Sequence, residues 1–502
     1  MKYLVVSLIF SAIIANAYAW RFFYNGRINE NILRQTQKLQ DSAETPKNFT
    51  RWFTQNLDHF RSDSRTWNQR YYVNDEYFDK EKRNVAFLMI GGEGEATDVW
   101  MTNGQWVEYG KQFNAILFQL EHRFYGKSHP TEDLSVDNLE YLTSEQALAD
   151  LALFVASMNE EYKLSSDIKW IAFGGSYPGS LAAWARLKYP HLISGSVSTS
   201  GPLLAIPDFQ AYFGVIADDL RLVDENCYTA VKEGTAQIEL FLTDEAGLNT
   251  LRSLFKLCQD LVGDLWFEKN VSNFFATLAG NFAGIAQYNK DNRLSTKGTL
   301  LGNITLNTIC SIMTDPATKT EIQRLANFNS LMLEATDQKC LDFSYVNMIL
   351  DMTKTTWNSS ASEGGRQWMY QTCNEFGFFQ TSDEKPQIFS DRFPIKFWTQ
   401  QCSDIFGSKF TEEYVNKASN RTNILYGGLD IKVSNVVFVH GSVDPWHMLG
   451  ITKTINANAP AIFIKGTAHC ANMYPASHDD PSDLKSARIQ IGKYIQKWLS
   501  ES

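Results

Sequence analysis

Short runs of apolar residues, each broken off by glycine or a charged loop, recur in the first two hundred positions and again near the C-terminus. They occupy residues 85–90, 115–120, 171–173, 436–439 and 461–464, and residues 193–198 read as a further short strand. Runs of this length that are apolar on both faces predict strands of a parallel sheet covered by helices. Between the second and third, Ala147, Leu148, Leu151, Phe154, Val155 and Met158 form a stripe at helical spacing. Thr143 precedes the stripe as an N-cap, with Gln146 three residues on. Residues 482–499 predict a closing amphipathic helix, and residues 20–80 read as polar and irregular, with an extended aromatic stretch at 69–73. From about Pro207 to Gln400 the apolar spacing turns helical, as in Leu251, Leu254, Phe255 and Cys258. The pattern therefore predicts an α/β core in two parts, 20–206 and 401–502, split by a mostly helical insertion at 207–400.

The third run leads into Gly174-Gly175-Ser176-Tyr177-Pro178-Gly179 and then a helical stretch. Strand, sharp turn and helix with a serine at the tip is the nucleophile elbow of α/β-hydrolases, written G-x-S-x-G. Gly174 and Ser176 fit it; the second flank holds Pro178, with Gly179 one residue late. Two later loops also follow strands and carry Asp444 and His469. Serine, aspartate, histidine is the chain order of the α/β-hydrolase triad. A serine hydroxyl needs an imidazole to take its proton, and the imidazole needs a carboxylate to hold its tautomer and its charged form. Each residue also has a plainer reading, since Asp-Pro often only forms a turn; the order and the strand context together favour the triad. The oxyanion donors would be the N–H of Tyr177 and one from the Gly91-Gly92-Glu93-Gly94 loop, at Gly92 or Glu93. That loop reads equally as a tight turn. Glu93 suits either a substrate amine in the pocket or a brace for its loop.

Composition narrows the class. At 502 residues, 44 % apolar and 13 % aromatic, the chain has ample material for a core, and its formal charge of −10 speaks against a nucleic-acid binder. Met1-Lys2, an apolar stretch at 4–14 and Ala17-Tyr18-Ala19 predict a signal peptide at 1–19, with Trp20 first in the mature chain. No later stretch is long and apolar enough to predict a membrane span. Sequons at Asn48, Asn270, Asn303, Asn358 and Asn420 agree with a secretory route. Seven cysteines, none as C-x-x-C, predict disulfides rather than a metal site, with one thiol left over. Six cysteines allow 15 pairings, and spacing does not choose among them.

The block Gly91-Gly92-Glu93-Gly94, the run Glu121-His122-Arg123-Phe124-Tyr125-Gly126-Lys127-Ser128 and the stretch from Tyr141 to Asp150 resemble one peptidase family. So do Gly174-Gly175-Ser176-Tyr177, Asp444-Pro445-Trp446 and His469. It is the family of lysosomal Pro-Xaa carboxypeptidase and dipeptidyl peptidase II, and residues 173–192 are most similar to its thymus-specific serine protease branch. The resemblance runs from about Leu57 to Trp498. It implies an α/β-hydrolase core with a helical cap inserted between nucleophile and acid. It implies peptide substrates, no metal and no organic cofactor, and exopeptidase action near proline or small residues in acidic vesicles, so the chain is expected to be secreted or lysosomal. It further implies the pairs Cys227–Cys310, Cys258–Cys340 and Cys373–Cys402, with Cys470 free. By the same analogy Trp446 lines the specificity pocket, although filling core beside the acid loop suits it as well. Pro178 and His440 depart from the family pattern, where glycine and asparagine are usual, and bear on specificity. An esterase or lipase of the same fold and a non-catalytic secreted glycoprotein are the alternatives, and a homodimer is compatible with the sequence.

Overall fold

The computed structural model describes residues 21–32, 48–261, 267–290 and 298–501; the signal segment expected at 1–19 lies outside them. Eight strands form the central sheet: β1 (Thr50–Asn56), β2 (Thr66–Asn74), β3 (Val85–Ile90), β4 (Ile116–Leu120), β5 (Lys169–Gly175), β6 (Gly195–Thr199), β7 (Val436–Gly441) and β8 (Ala461–Ile464). Their order is β8-β7-β6-β5-β3-β4-β2-β1. Strands β3 to β8 pair in parallel, and β2 joins β4 and β1 antiparallel. This mixed sheet with a parallel centre is an α/β-hydrolase core.

Most of the parallel strands are buried on both faces and their sequences are largely apolar; β6 instead buries serines, with Ser198 Oγ donating to Gly179 O at 2.7 Å. Phe87, Phe173, Val197 and Val437 meet Trp106, Ile491 and Trp498 on one face, beneath α1 (Gln105–Phe113) and the C-terminal helix Ser482–Ser500. Leu88, Ala172 and Phe438 face the opposite way. There they meet α2 (Ser144–Glu161) and α3 (Tyr177–Lys188). The Thr143 side chain caps α2 by accepting from Gln146 N–H. Helices then dominate from α4 (Ala211–Val223) through the long buried α5 (Phe267–Gln287) to Phe406. One contiguous set of buried apolar side chains runs from this cap into the sheet face that it covers. The cap therefore seats on the core by the same hydrophobic burial that holds the core together.

Disulfides join Cys227 to Cys310, Cys258 to Cys340 and Cys373 to Cys402, the pairs that the family resemblance implies, and Cys470 is a buried free thiol. Among the described residues no helix is long and apolar enough to cross a membrane. Four sequon asparagines, Asn48, Asn303, Asn358 and Asn420, are exposed; Asn270 is partly buried and its Oδ1 accepts from Tyr345 N–H at 3.0 Å.

The stretch expected to be irregular contains β1 and β2. Strand β1 is an edge strand with most of its side chains in solvent, so no apolar run marks it. In β2 the buried positions include Gln69 and Asn74; Gln69 is satisfied by Gln55 Nε2 at 2.9 Å and by the carbonyl of Glu121 at 2.7 Å. Buried polar residues with full hydrogen bonding are admissible in a sheet, but they hide the strand period from sequence.

The 83-residue separation of Cys227 and Cys310 closes a long loop within the cap. Replacing both with serine is expected to lower stability by about 2–5 kcal/mol, seen as a reduced thermal midpoint. An unchanged midpoint would show that the helices flanking this link are held by packing alone.

Candidate active site

In a run of parallel strands every C-terminal end lies along the same edge of the sheet, so the loops that leave those ends meet. The loop at 91–94 leaves β3, Ser176 leaves β5, the Asp444 loop leaves β7 and the His469 loop leaves β8. Serine at 176 has φ 64° and ψ −136°, a conformation that an L-residue holds only when its surroundings enforce it. The enforcement is close packing. A Cβ on Gly174 would stand 2.0 Å from the carbonyl oxygen of Pro178, so the turn closes only over glycine. The Ser176 N–H donates to Thr199 O at 3.0 Å, which fixes the tip against β6.

Asp444 is fully buried. Its Oδ2 accepts from His469 Nδ1 at 2.8 Å and its Oδ1 from Trp446 N–H at 3.1 Å. Burial works against both charges, and each partner offsets that for the other. Desolvation raises the Asp444 carboxyl, but His469 outweighs it and holds the group below its ordinary value. Desolvation lowers the His469 imidazole, and Asp444 reverses that and holds it well above 6.5. The imidazole also feels Cys470 beside it, Glu93 from the β3 loop and His440 from β7, and Tyr288 stands edge-on at 5.7 Å. His469 Nε2 is buried and has no hydrogen-bond partner among the described residues. The structure thus joins Asp444 to His469 and leaves the bond from Ser176 Oγ to Nε2 unmade. Such bonds are commonly long in a ligand-free site.

The Tyr177 N–H opens α3, where no preceding carbonyl can accept it within the helix. Across from it, a Cβ on Gly92 would lie 2.6 Å from Cγ of Pro178, so the proline ring packs directly on the β3 loop. Pro178 occupies the first turn of the helix, where it withdraws no needed donor. Gly92, Glu93, Gly175, Pro178 and Tyr288 line a cleft of about 290 Å³. Glu93 is partly exposed there; desolvation holds its carboxyl above its ordinary value, and Arg27 and His469 offset only part of that rise. Its carbonyl accepts from Arg27 Nη2 at 3.1 Å, and Arg27 is itself bound to Glu363 of the cap at 2.9 Å. Trp446 does not open onto this cleft. It is 2 % exposed, packed on Phe209, Tyr212 and Phe378, and its indole N–H donates to Gln287 Oε1 at 2.8 Å.

Several motif residues other than Ser176, Asp444 and His469 prove to be scaffolding. Arg123 and Asp150 form a buried ion pair at 2.6 Å, completed by His59 on the same carboxylate. Burial lowers the His122 imidazole to about 4, so it is neutral, with Nδ1 donating to Arg123 O at 2.7 Å. Its Nε2 then accepts from the Tyr177 hydroxyl at 3.0 Å, tying the helix behind Ser176 to the loop after β4. His440 is also neutral, lowered to about 4 by burial, and both of its ring nitrogens lack partners among the described residues. Reading by motif missed Gln287 and Arg27 as neighbours of the site, because their partners lie far away in the chain. Among the described residues no group of His, Cys, Asp and Glu could hold a metal ion.

Residues 55–491 match the family described as serine carboxypeptidase S28. The chain belongs to this family. It is accordingly a serine-type peptidase. Relatives extend over nearly the whole S28 chain. The thymus-specific serine protease of Mus musculus is 33 % identical over 95 % of this chain and 94 % of its own. The Caenorhabditis elegans protein F56F10.1 is 35 % identical over 89 % of this chain and 84 % of its own. The lysosomal Pro-X carboxypeptidase of Mus musculus is 27 % identical over 91 % of both.

The His469–Asp444 pair sets a stability window. The raised histidine contributes fully below its unfolded value of 6.5 and loses that contribution as pH rises through its folded value. The depressed aspartate contributes above its unfolded value of 3.8 and loses it as pH falls through its folded value. Asp444→Asn is expected to be less stable than the parent by about 3–5 kcal/mol between those limits. The deficit shrinks toward either extreme, as thermal melts across pH will read. A deficit that does not vary with pH would contradict the pairing.

Proposed function

We propose that this S28 peptidase hydrolyses peptide bonds through an acyl-enzyme on Ser176, with His469 as general acid and base and Asp444 as its orienting carboxylate. The buried Asp444–His469 bond, set among loops at the same sheet edge as a serine in a strained turn, is the observation that carries this reading. Ser176 Oγ attacks the substrate carbonyl as its proton passes to His469 Nε2, and Asp444 stabilises the imidazolium so formed. The oxyanion is received by the Tyr177 N–H and by the N–H of Gly92 or Glu93. His469 then returns the proton to the departing amine, and water repeats the sequence on the acyl-enzyme. Pro178 packed on Gly92 keeps the two donor segments in one register. In this reading Glu93, which lines the cleft beside Gly92 and Pro178, meets a substrate amine, and Trp446 shapes the site from behind through the acid loop.

The reaction is of exopeptidase type, a carboxypeptidase or a dipeptidyl peptidase, and takes place in a lysosomal or extracellular setting. Three disulfides suit an oxidising route of maturation, and the name of a mammalian relative includes both the lysosome and carboxypeptidase action.

Ser176→Ala is expected to reduce peptide turnover by at least about a thousandfold without changing the thermal midpoint. A defined peptide library digested at acidic and neutral pH, with products identified by mass, reads both the loss and the terminus that is cut. Turnover of acyl esters but not of peptides would transfer the site to an esterase, and full peptide turnover in the alanine variant would remove Ser176 from the mechanism.

A further inference from the structure

One residue of the cap touches both the acid loop, through its side chain, and the base loop, through its main-chain carbonyl. Gln287 is the last residue of α5 and is fully buried. A helix leaves its last carbonyls without intrahelical partners, and the carbonyl of Gln287 accepts from the His469 N–H at 2.9 Å. Its side-chain Oε1 accepts two bonds, from the Tyr212 hydroxyl at 2.6 Å and from Trp446 Nε1 at 2.8 Å. Its Nε2 donates to Gly26 O at 3.1 Å. Trp446 is the residue whose own N–H binds Asp444 Oδ1, so the side-chain amide of Gln287 reaches the acid through one intervening residue, while its main-chain carbonyl holds the base directly. Both lone pairs of the amide oxygen are used. No apolar side chain of the same volume can answer these donors.

We propose that Gln287 is a positioning residue for catalysis: it clamps the acid and base loops in the register that keeps His469 on Asp444 and directs Nε2 at Ser176, and through α5 it makes that register depend on the seating of the cap. This inference rests on the triad reading above. The C-terminus of α5 adds a partial negative charge beside the imidazole, which favours the charged form that the reaction needs. A substitution at 287 leaves the backbone contact to His469 in place and removes the bracing through Trp446 and Tyr212. The loops then drift by a fraction of an ångström, enough to matter for a proton relay.

The test uses Gln287→Met and Tyr212→Phe in the full-length chain, with peptide kinetics across pH and the rate of fluorophosphonate labelling mapped to Ser176. In Gln287→Met, kcat and the labelling rate are expected to fall roughly 10–100-fold. KM changes by less than about threefold, because substrate contacts are untouched. The acid limb of the pH profile moves to lower pH as His469 loses its hold on Asp444. Tyr212→Phe removes one hydroxyl, gives a smaller loss of the same kind, and adds little on top of Gln287→Met. Parental kcat and pH profile in the folded methionine variant overturn the proposal. If that variant does not fold, parental behaviour of Tyr212→Phe overturns it. Absence of label on Ser176 in the parent protein overturns the triad reading itself, together with this inference.

Discussion

A carboxylate and an imidazole placed together out of water are stable only if their remaining polar atoms are answered. At Asp444 and His469 nearly all of them are: Oδ1 has the Trp446 N–H, Oδ2 has Nδ1, and the His469 N–H has the carbonyl of Gln287. Among the described residues the exception is His469 Nε2, the atom that would serve the nucleophile. The rest of the architecture follows from keeping this pair buried and that one nitrogen unspent. The parallel sheet brings the loops to one edge, the cap shields them, and the N-terminal hairpin around Gly26 and Arg27 stitches cap to core.

The serine turn depends on the same economy of space. Its strained angles need bare backbone at Gly174, and the proline at 178 takes up room beside Gly92 that a glycine would leave open. Pro178, which breaks the usual motif, therefore strengthens the contact between the turn and the β3 loop. His440 is a different departure: a neutral imidazole beneath the acid loop, with neither nitrogen bonded among the described residues.

What the sequence made legible follows from physical cause. Most of the parallel strands were readable because burial on both faces forces apolar runs, β6 with its buried serines being the exception to that pattern, and Ser176, Asp444 and His469 were readable because each sits in the loop after such a run. Strands β1 and β2 were not, since one is an exposed edge and the other buries glutamine and asparagine. Gln287 left no trace at all: it ends an amphipathic helix, and its partners stand 75, 159 and 261 positions away. Side chains that act across a cap interface carry no local pattern.

The central claim is that turnover passes through an ester on Ser176. Acid quenching of the enzyme during turnover of an activated peptide ester, followed by mass mapping of the protein, tests it most directly. The peptide acyl group is expected on the fragment that contains Ser176 and on no other. Acyl group found on another residue, or enzyme that carries none while product accumulates in a burst, would contradict it.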